Sequence, residues 1–384
     1  MQGANGCVDP LLQILACVVE GAKLTYVSGA ITSGRRLLEA CRSLGIGSPN
    51  INRGSIIESN VSELRELVAS LRKELGGLIL DPSRLPLFPG WSQQDYYRTW
   101  GGIVRRYPAK AIFADDWQYS CGCSHEYLSA RSAKIVIVDR FDQPISDEYA
   151  MRLLKGAIRE SAAIGLDATE QRRTVTALEA GVVNEAVSEC TTLRASPLPV
   201  NAAEEIAWLT GMLATVIDSG SAVYVSAPIN SGRRKYFALP VQEDSDGDKN
   251  GGFKARVLRA NVLDQQQLVK RVGAQLPRET IIDPVKLPPL PKWSQGDFHR
   301  LWACVIEAHA AAVVFADGWE YSDGCTLEFS TAAKAKKILL NAQLSPMTIQ
   351  EGVALMRAAL TAIYSRGLEA RHIEGAVHDL TSVI

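Results

Sequence analysis

The chain repeats itself, and that limits the folds open to it. The stretch "TYVSGAITSGRR" (25–36) returns as "VYVSAPINSGRR" (223–234), with Tyr26 matched to Tyr224 at an offset of 198. Further on, "AIFADDWQYSCGCSHEYLSARSAK" (111–134) matches "VVFADGWEYSDGCTLEFSTAAKAK" (313–336), with 12 of 24 positions identical and no gap. Between them, "DPSRLPLFPGWSQQDYYRTW" matches "DPVKLPPLPKWSQGDFHRLW"; Trp91 and Trp293 are 202 apart, so the second copy carries four extra residues before this point. The leading segments "LLQILACVVEGA" and "AEEIAWLTGMLATVI" correspond as well. Self-similarity on this scale means a tandem duplication. The repeats span 1–190 and 201–384, joined through the Ser/Thr/Pro-rich stretch "SECTTLRASPLPVNAAEE".

Within each copy, short apolar strands alternate with helical segments. A helix leads into a β-branched strand ("KLTYVS", "SAVYVS"), then a turn and a helix. A Pro-rich loop, an amphipathic helix and a buried strand ("KAIFAD", "AAVVFAD") follow. Next come a loop, a helix starting near Glu126 or Glu328, a further strand ("KIVIVD", "KKILLN") and C-terminal helices over about 147–185 and 346–384. The pattern predicts two tandem α/β units of flavodoxin- or Rossmann-like type, each a parallel sheet with helices on both faces. Such sheets bind ligands beyond the carboxyl ends of their strands. The loops after Tyr26 and after Phe113, with their counterparts, are expected there.

Composition sets outer limits. Apolar residues make up 47% and charged residues 22%, the balance of a globular protein. A net charge of −1 gives no bulk attraction to nucleic acid or an anionic membrane, and neither is expected as a partner. No apolar run reaches the roughly 20 residues of a bilayer span. "LLQILACVVEGA" lacks a basic segment before it and follows Asp9-Pro10, so it reads as a first amphipathic helix. The eight cysteines (Cys7, Cys17, Cys41, Cys121, Cys123, Cys190, Cys304 and Cys325) are scattered, with no C-x-x-C pair. They read as reduced thiols of a cytoplasmic protein, and Cys121-Gly122-Cys123 as small residues in a tight turn rather than metal ligands. No metal or cofactor is expected.

Two loops carry candidate chemistry. The first runs Ser28-Gly29-Ala30-Ile31-Thr32-Ser33-Gly34-Arg35-Arg36; its small residues let backbone N–H groups approach a ligand. A helix N-terminus and a bidentate Arg35 or Arg36 would then favour a phosphate, although a plain strand–helix turn explains the same residues. The second runs from Asp115 to Glu126, and its counterpart from Asp317 to Glu328; both keep Asp, Trp, Tyr, Ser, Gly, Cys and Glu. A carboxylate early in a helix complements the dipole. An aromatic- and glycine-rich loop held before it suggests more. A carboxylate that attacks a sugar needs a fixed place beneath the anomeric carbon and a second acid near the leaving group. Asp95 and Asp297 are candidates for that acid, with helix capping as the plain alternative. His125 faces no Ser-His-Asp arrangement, and its counterpart is Leu327. "EDSDGDKNGG" (243–252) has Lys249 where a calcium loop needs glycine, and reads as an insertion.

Taken together, Y-x-S-G-x-I-x-x-G-R followed by strand-A-D-x-x-x-x-S-x-G-x-x-x-E resembles the nucleoside 2-deoxyribosyltransferase-like superfamily, most closely its nucleoside 5′-monophosphate N-hydrolase branch. The resemblance covers each copy from its first strand to the strand after the glutamate. It implies that Glu126 and Glu328 attack C1′ and release the base. It implies that Ser120 and Ser322, six residues earlier, bind a 5′-phosphate where the transferases carry Asp. Ser33, Gly34 and Arg35, with Ser231, Gly232 and Arg233, would complete the phosphate site. Asp95 and Asp297 stand about seven residues farther from the following strand than the family's acid. Around these, Ser28, Gly29, Asp115, Gly122, Ser226, Asp317 and Gly324 are expected to line the substrate. Tyr26, Trp117, Tyr119, Tyr224 and Trp319 either stack on the base or belong to the core.

The family works as dimers, so the duplication implies an internal pseudodimer with two pseudo-equivalent pockets, open to further self-association. Gly29 and Ala30 become Ala227 and Pro228, which is expected to narrow the second turn. The partner expected is a small-molecule nucleotide. A base-exchange transferase, an NAD-cleaving enzyme and a nucleotide-sensing module that binds without turnover remain open beside the hydrolase.

Overall fold

The computed structural model describes residues 8–19, 24–184, 199, 201–237, 252–290 and 292–382. The chain is α/β and holds two four-stranded sheets, both wholly parallel. In the first, β1 (Leu24–Ser28), β2 (Leu78–Leu80), β3 (Pro108–Phe113) and β4 (Val136–Asp139) lie in the order β2-β1-β3-β4. In the second, β5 (Ala222–Ser226), β6 (Thr280–Ile282), β7 (Ala310–Phe315) and β8 (Ile338–Leu340) lie in the order β6-β5-β7-β8. The chain winds outward in one direction from β1 to β2 and in the other from β3 to β4. The loops after β1 and β3 therefore part at the carboxyl edge, which is the switch point where such sheets open a crevice.

By its contacts the chain forms two compact units, cut near residue 200, except that residues 16–18 group with the second unit and 211–216 with the first. The expected boundaries of 1–190 and 201–384 are displaced by those short segments. Most of the joining stretch, and the insertion at 243–251, lie outside the described residues.

Alternation along β1 sorts its side chains between the two helical layers. Val27 joins Ile79, Ile112 and Val138 against Leu64, Val68 and Leu71 of the helix Arg53–Leu75. Tyr26 and Ser28 point the other way, where the Tyr26 ring lies 6.2 Å from that of Trp100 on the helix Gln93–Arg106. The second unit repeats this: Val223 and Val225 pack with Leu268 and Val272 of the helix Gly252–Gln275, while Tyr224 lies 6.0 Å from Trp302.

Two features depart from expectation, and the reading left open for two tryptophans falls to the core. The edge strands β2 and β6 are three residues long, too short to show a period. The helix expected after the first turn is two helices, Arg35–Leu44 and Arg53–Leu75. Trp117 and Trp319 do not face a ligand. Trp117 is buried, stacked at 5.1 Å on Tyr127 and edge-on to Phe113; Trp319 stacks at 4.6 Å on Phe329. Their one-turn 3-10 segments, Trp117–Tyr119 and Trp319–Tyr321, plug each indole into the layer beneath the sheet. Trp117→Ala should therefore behave as a core truncation and lower unfolding stability by about 3–5 kcal/mol, read by denaturant titration. An unchanged midpoint would return Trp117 to the ligand face.

Candidate active site

Each site is assembled from the end of the first strand, the turn after it, and the helix after the third strand. The helix Cys121–Ser132 begins five residues before Glu126, with Ser120 as its N-cap. Ser120 Oγ accepts from the Cys123 amide at 3.4 Å, and Ser322 accepts from Cys325 at 3.5 Å before the helix Asp323–Lys334. This helix carries Glu126 back under the sheet to the hydroxyl side of β1.

There Ser28 Oγ donates to Glu126 Oε2 at 2.5 Å. In the second unit Ser226 Oγ donates to Glu328 Oε2 at 2.6 Å and the Tyr224 hydroxyl to Oε1 at 2.8 Å. Tyr26 occupies the place of Tyr224, close enough to Glu126 to favour its carboxylate, yet its buried hydroxyl makes no hydrogen bond of standard geometry. Burial pushes both glutamates up to about 7, and the hydroxyl donors hold them from rising further. Cys123 and Cys325, buried beside them, are pushed up by the same desolvation, Cys123 to about 12, and stay as thiols at neutral pH.

The two loops meet at a pair of hydroxyls. Ser33 Oγ donates to Ser120 Oγ at 3.3 Å, and Ser231 and Ser322 Oγ atoms are 2.9 Å apart. Gly34 and Gly232 have φ of 97° and 88°. A Cβ at Gly34 would fall 2.7 Å from that of Ala30, and one at Gly232 would fall 2.5 Å from that of Pro228, so each turn closes only on glycine. With Ala227 and Pro228 the second turn keeps its glycine and its serine pair, the latter 2.9 Å apart against 3.3 Å in the first. A Cβ on Gly29 would strike Leu64 at 2.7 Å; the second unit has Ala227 and Gln265 at these two places.

Sequence reasoning missed the residue that holds the turn. Asn60 Nδ2 donates to the carbonyls of Ile31 and Ser33 at 3.0 and 2.9 Å, and its Oδ1 accepts from Arg36 at 2.9 Å. Asn261 does the same for Ile229, Ser231 and Arg234, each at 2.9 Å. The signal was present: an Asn-Val pair recurs in both long helices, with the asparagine buried although it is a poor helix former. The second arginine of each Gly-Arg-Arg is thus bound to this clamp, and the first is the one turned to the loop after the third strand.

Other expected residues take different places. Asp95 and Asp297 close capping boxes: Asp95 accepts from Ser92 N and Oγ at 2.8 and 2.7 Å, and Asp297 from Ser294 at 2.8 and 2.6 Å. Asp297 also pairs with Arg300, and these donors, led by the Ser294 hydroxyl, hold it down to about 2. It has no proton to give near neutrality, and Asp95 is bound in the same cap, so neither serves as the expected second acid. Asp115 is exposed and salt-bridged to Arg140 at 2.8 Å, and Asp317 is exposed. Gly122 and Gly324 sit in the first turns of their helices; a Cβ there would make only ordinary contacts, 3.7 and 3.5 Å away. His125 is buried, stacked at 5.3 Å on Tyr97, and burial lowers it to about 4, so it is a neutral packing residue.

In the first unit a cavity of about 570 Å³ opens at the switch point, within the size range of small-ligand sites. Gly29, Ala30, Arg35 and Arg36 line it with Asn60, Glu63, Asp115, Asp116 and Arg140, whereas Glu126, Ser28, Ser33 and Ser120 do not, so it lies beside the glutamate site and is not its chamber. The C-terminal helices brace the other side. Thr174 Oγ1 donates to the Ser124 carbonyl at 3.2 Å, and Glu160 accepts from Tyr119 at 2.9 Å. Among the described residues no cluster of three or more His, Cys, Asp or Glu could hold a metal, and no helix is long and apolar enough to cross a membrane.

No protein-family model matches this chain, and no curated protein or solved structure matches it either.

Two outcomes follow from the site. Asn60→Ala leaves two carbonyls without their donor and should cost about 1–3 kcal/mol, with hydrogen exchange rising first at Ile31–Arg35. Exchange unchanged across that turn would refute the clamp. The glutamates have a folded pKa above the unfolded value, so the fold holds their protons more tightly. Their protonation favours the fold at low pH, and that contribution is lost as pH rises from about 4.5 through about 7. Glu126→Gln should accordingly raise stability at pH 8, by on the order of 3 kcal/mol, and hardly change it at pH 4.5. Equal effects at both pH values would contradict the buried carboxylate.

Proposed function

We propose that this chain hydrolyses the N-glycosidic bond of a nucleoside 5′-monophosphate, with Glu126 and Glu328 as nucleophiles, releasing free base and sugar phosphate. The observation that carries the reading is one glutamate in each unit, Glu126 buried and Glu328 half-buried, fixed by a serine of the first strand beside a pair of loop hydroxyls. A carboxylate used only for stability would sit in water or against a cation. Here each is held against neutral hydroxyl donors and pushed up to about 7, so a large share is ionised near neutrality and poorly solvated.

Such a carboxylate suits attack on C1′. Positive charge grows on the sugar as the C1′–N bond lengthens, and a desolvated carboxylate stabilises it more than water would. The C1′–O bond to glutamate forms, the bond to the base breaks, and the base leaves with the electron pair and takes a proton from solvent. Water then adds to C1′, loses a proton to solvent, and the carboxylate is regenerated. The serine pair, the small-residue turn and the leading arginine of Gly-Arg-Arg suit a phosphate. This reading places the chain alongside the nucleoside 2-deoxyribosyltransferase-like enzymes, with the repeats acting as an internal pseudodimer and reduced cysteines fitting a cytoplasmic protein.

The test is chromatographic product analysis of the full chain with ribo- and deoxyribonucleoside monophosphates and NAD, beside the Glu126→Ala/Glu328→Ala double variant. Free base from the parent, lost by at least a thousandfold in the double variant, is the expected result, in the range set by loss of a covalent nucleophile. Incorporation of added free base would make it a transferase, and nicotinamide release an NAD-cleaving enzyme. Nucleotide binding without turnover in the parent would replace catalysis by sensing.

A further inference from the structure

The two repeats treat the leading arginine of Gly-Arg-Arg differently. In the first, every nitrogen of the Arg35 guanidinium has a partner. Nε donates to Asp116 at 3.0 Å, Nη2 to the Tyr119 hydroxyl at 3.2 Å, and Nη1 lies 3.7 Å from Glu39. The guanidinium also covers the Tyr119 ring at 4.8 Å. Glu160, bound to Tyr119 at 2.9 Å, adds a third carboxylate to the group. These acids stabilise the Arg35 charge, and the fork that would grip an incoming anion is already filled.

The second repeat lacks all three acids. Gly318 stands for Asp116, Phe237 for Glu39 and Ala362 for Glu160. Arg233 is exposed and, among the described residues, makes no hydrogen bond or ion pair; its guanidinium lies 5.9 Å from the Phe237 ring. An arginine is gained as well. Arg366 replaces Ile164, lies 4.2 Å from the centre of the Phe237 ring, and donates to the Tyr236 carbonyl at 3.1 Å. One acid is gained, since Glu320 replaces Gln118, but burial pushes it up, toward its neutral form, and Arg233 only opposes that rise; among the described residues Asp317 is the other carboxylate beside it. The backbone is unchanged by the exchange: Asp116 and Gly318 both turn left-handed, at φ 59° and 80°. A Cβ on Gly318 would sit 3.4 Å from the Arg233 Cβ, so an aspartate there would stand beside Arg233 as Asp116 stands beside Arg35.

We infer that the repeats are unequal sites: the second takes the phosphorylated sugar on Arg233, and the first, its Arg35 closed off by Asp116, Glu39 and Glu160, rejects it. Position 116/318 is then the residue that sets phosphate specificity. The inference rests on the nucleotide reading of the sites and divides it between them.

Calorimetric titration of the full chain with ribose 5-phosphate tests this without any turnover. The parent should bind one equivalent. Gly318→Asp should weaken that site by about ten- to a hundredfold, the range for loss of a charge-assisted contact. Gly318→Asn makes a similar backbone demand without the charge, and should stay within about threefold of the parent. Asp116→Gly should open a second equivalent. Two equivalents in the parent, no binding in the parent, or equal losses in Gly318→Asp and Gly318→Asn would each overturn the inference. Base release separates it from the proposed activity. Turnover of a monophosphate that falls equally in Glu126→Ala and Glu328→Ala would sink the division and leave the hydrolase standing. No turnover, with the one-equivalent pattern intact, would sink the hydrolase and leave the division standing.

Discussion

A carboxylate taken out of water must find donors, and each unit is organised around meeting that demand for one glutamate. The donors come from the first strand, whose alternation sends valine to one helical layer and hydroxyls to the other. The helix after the third strand has to start where it does, capped by serine, for its sixth residue to reach them. The turn between has to close on glycine and asparagine so that its own serine meets that cap. Displacing any one of these parts would leave a buried charge uncompensated.

Much of this was legible in the residues. The duplication, the parallel sheets and the loops at their carboxyl edges follow from strand-like runs alternating with helical ones, and Ser120–Glu126 stood out because it recurs. What the sequence could not show was direction. Trp117 and Asp95 lie in loops and first turns that look chemical, yet one indole packs under the sheet and the carboxylate closes its own helix. Both roles depend on which way a side chain points, and neither has a periodic signature. Asn60 failed in the opposite sense. Its bonds go to backbone carbonyls some thirty positions earlier, and a backbone group has no letter in the sequence to match.

The short edge strands were missed for a third reason. Three residues carry less than two periods of alternation, and β2 and β6 are strands only because β1 and β5 offer them hydrogen bonds. Their identity is tertiary. The opposite edges, β4 and β8, were legible because longer apolar runs, KIVIVD and KKILLN, carry them.

The pairing of Gly29 with Leu64, and of Ala227 with Gln265, has a consequence for how such a chain can change. In an assembly of identical subunits, any substitution lands in every site at once, and an intermediate with alanine against leucine would damage them all. Here the two copies are separate stretches of one polypeptide. A methyl group at one turn can go with an unbranched side chain in place of a branched one on one helix, while the other turn keeps its own fit. Covalent duplication thus turns a symmetric constraint into two independent ones, so either turn can change without its sister.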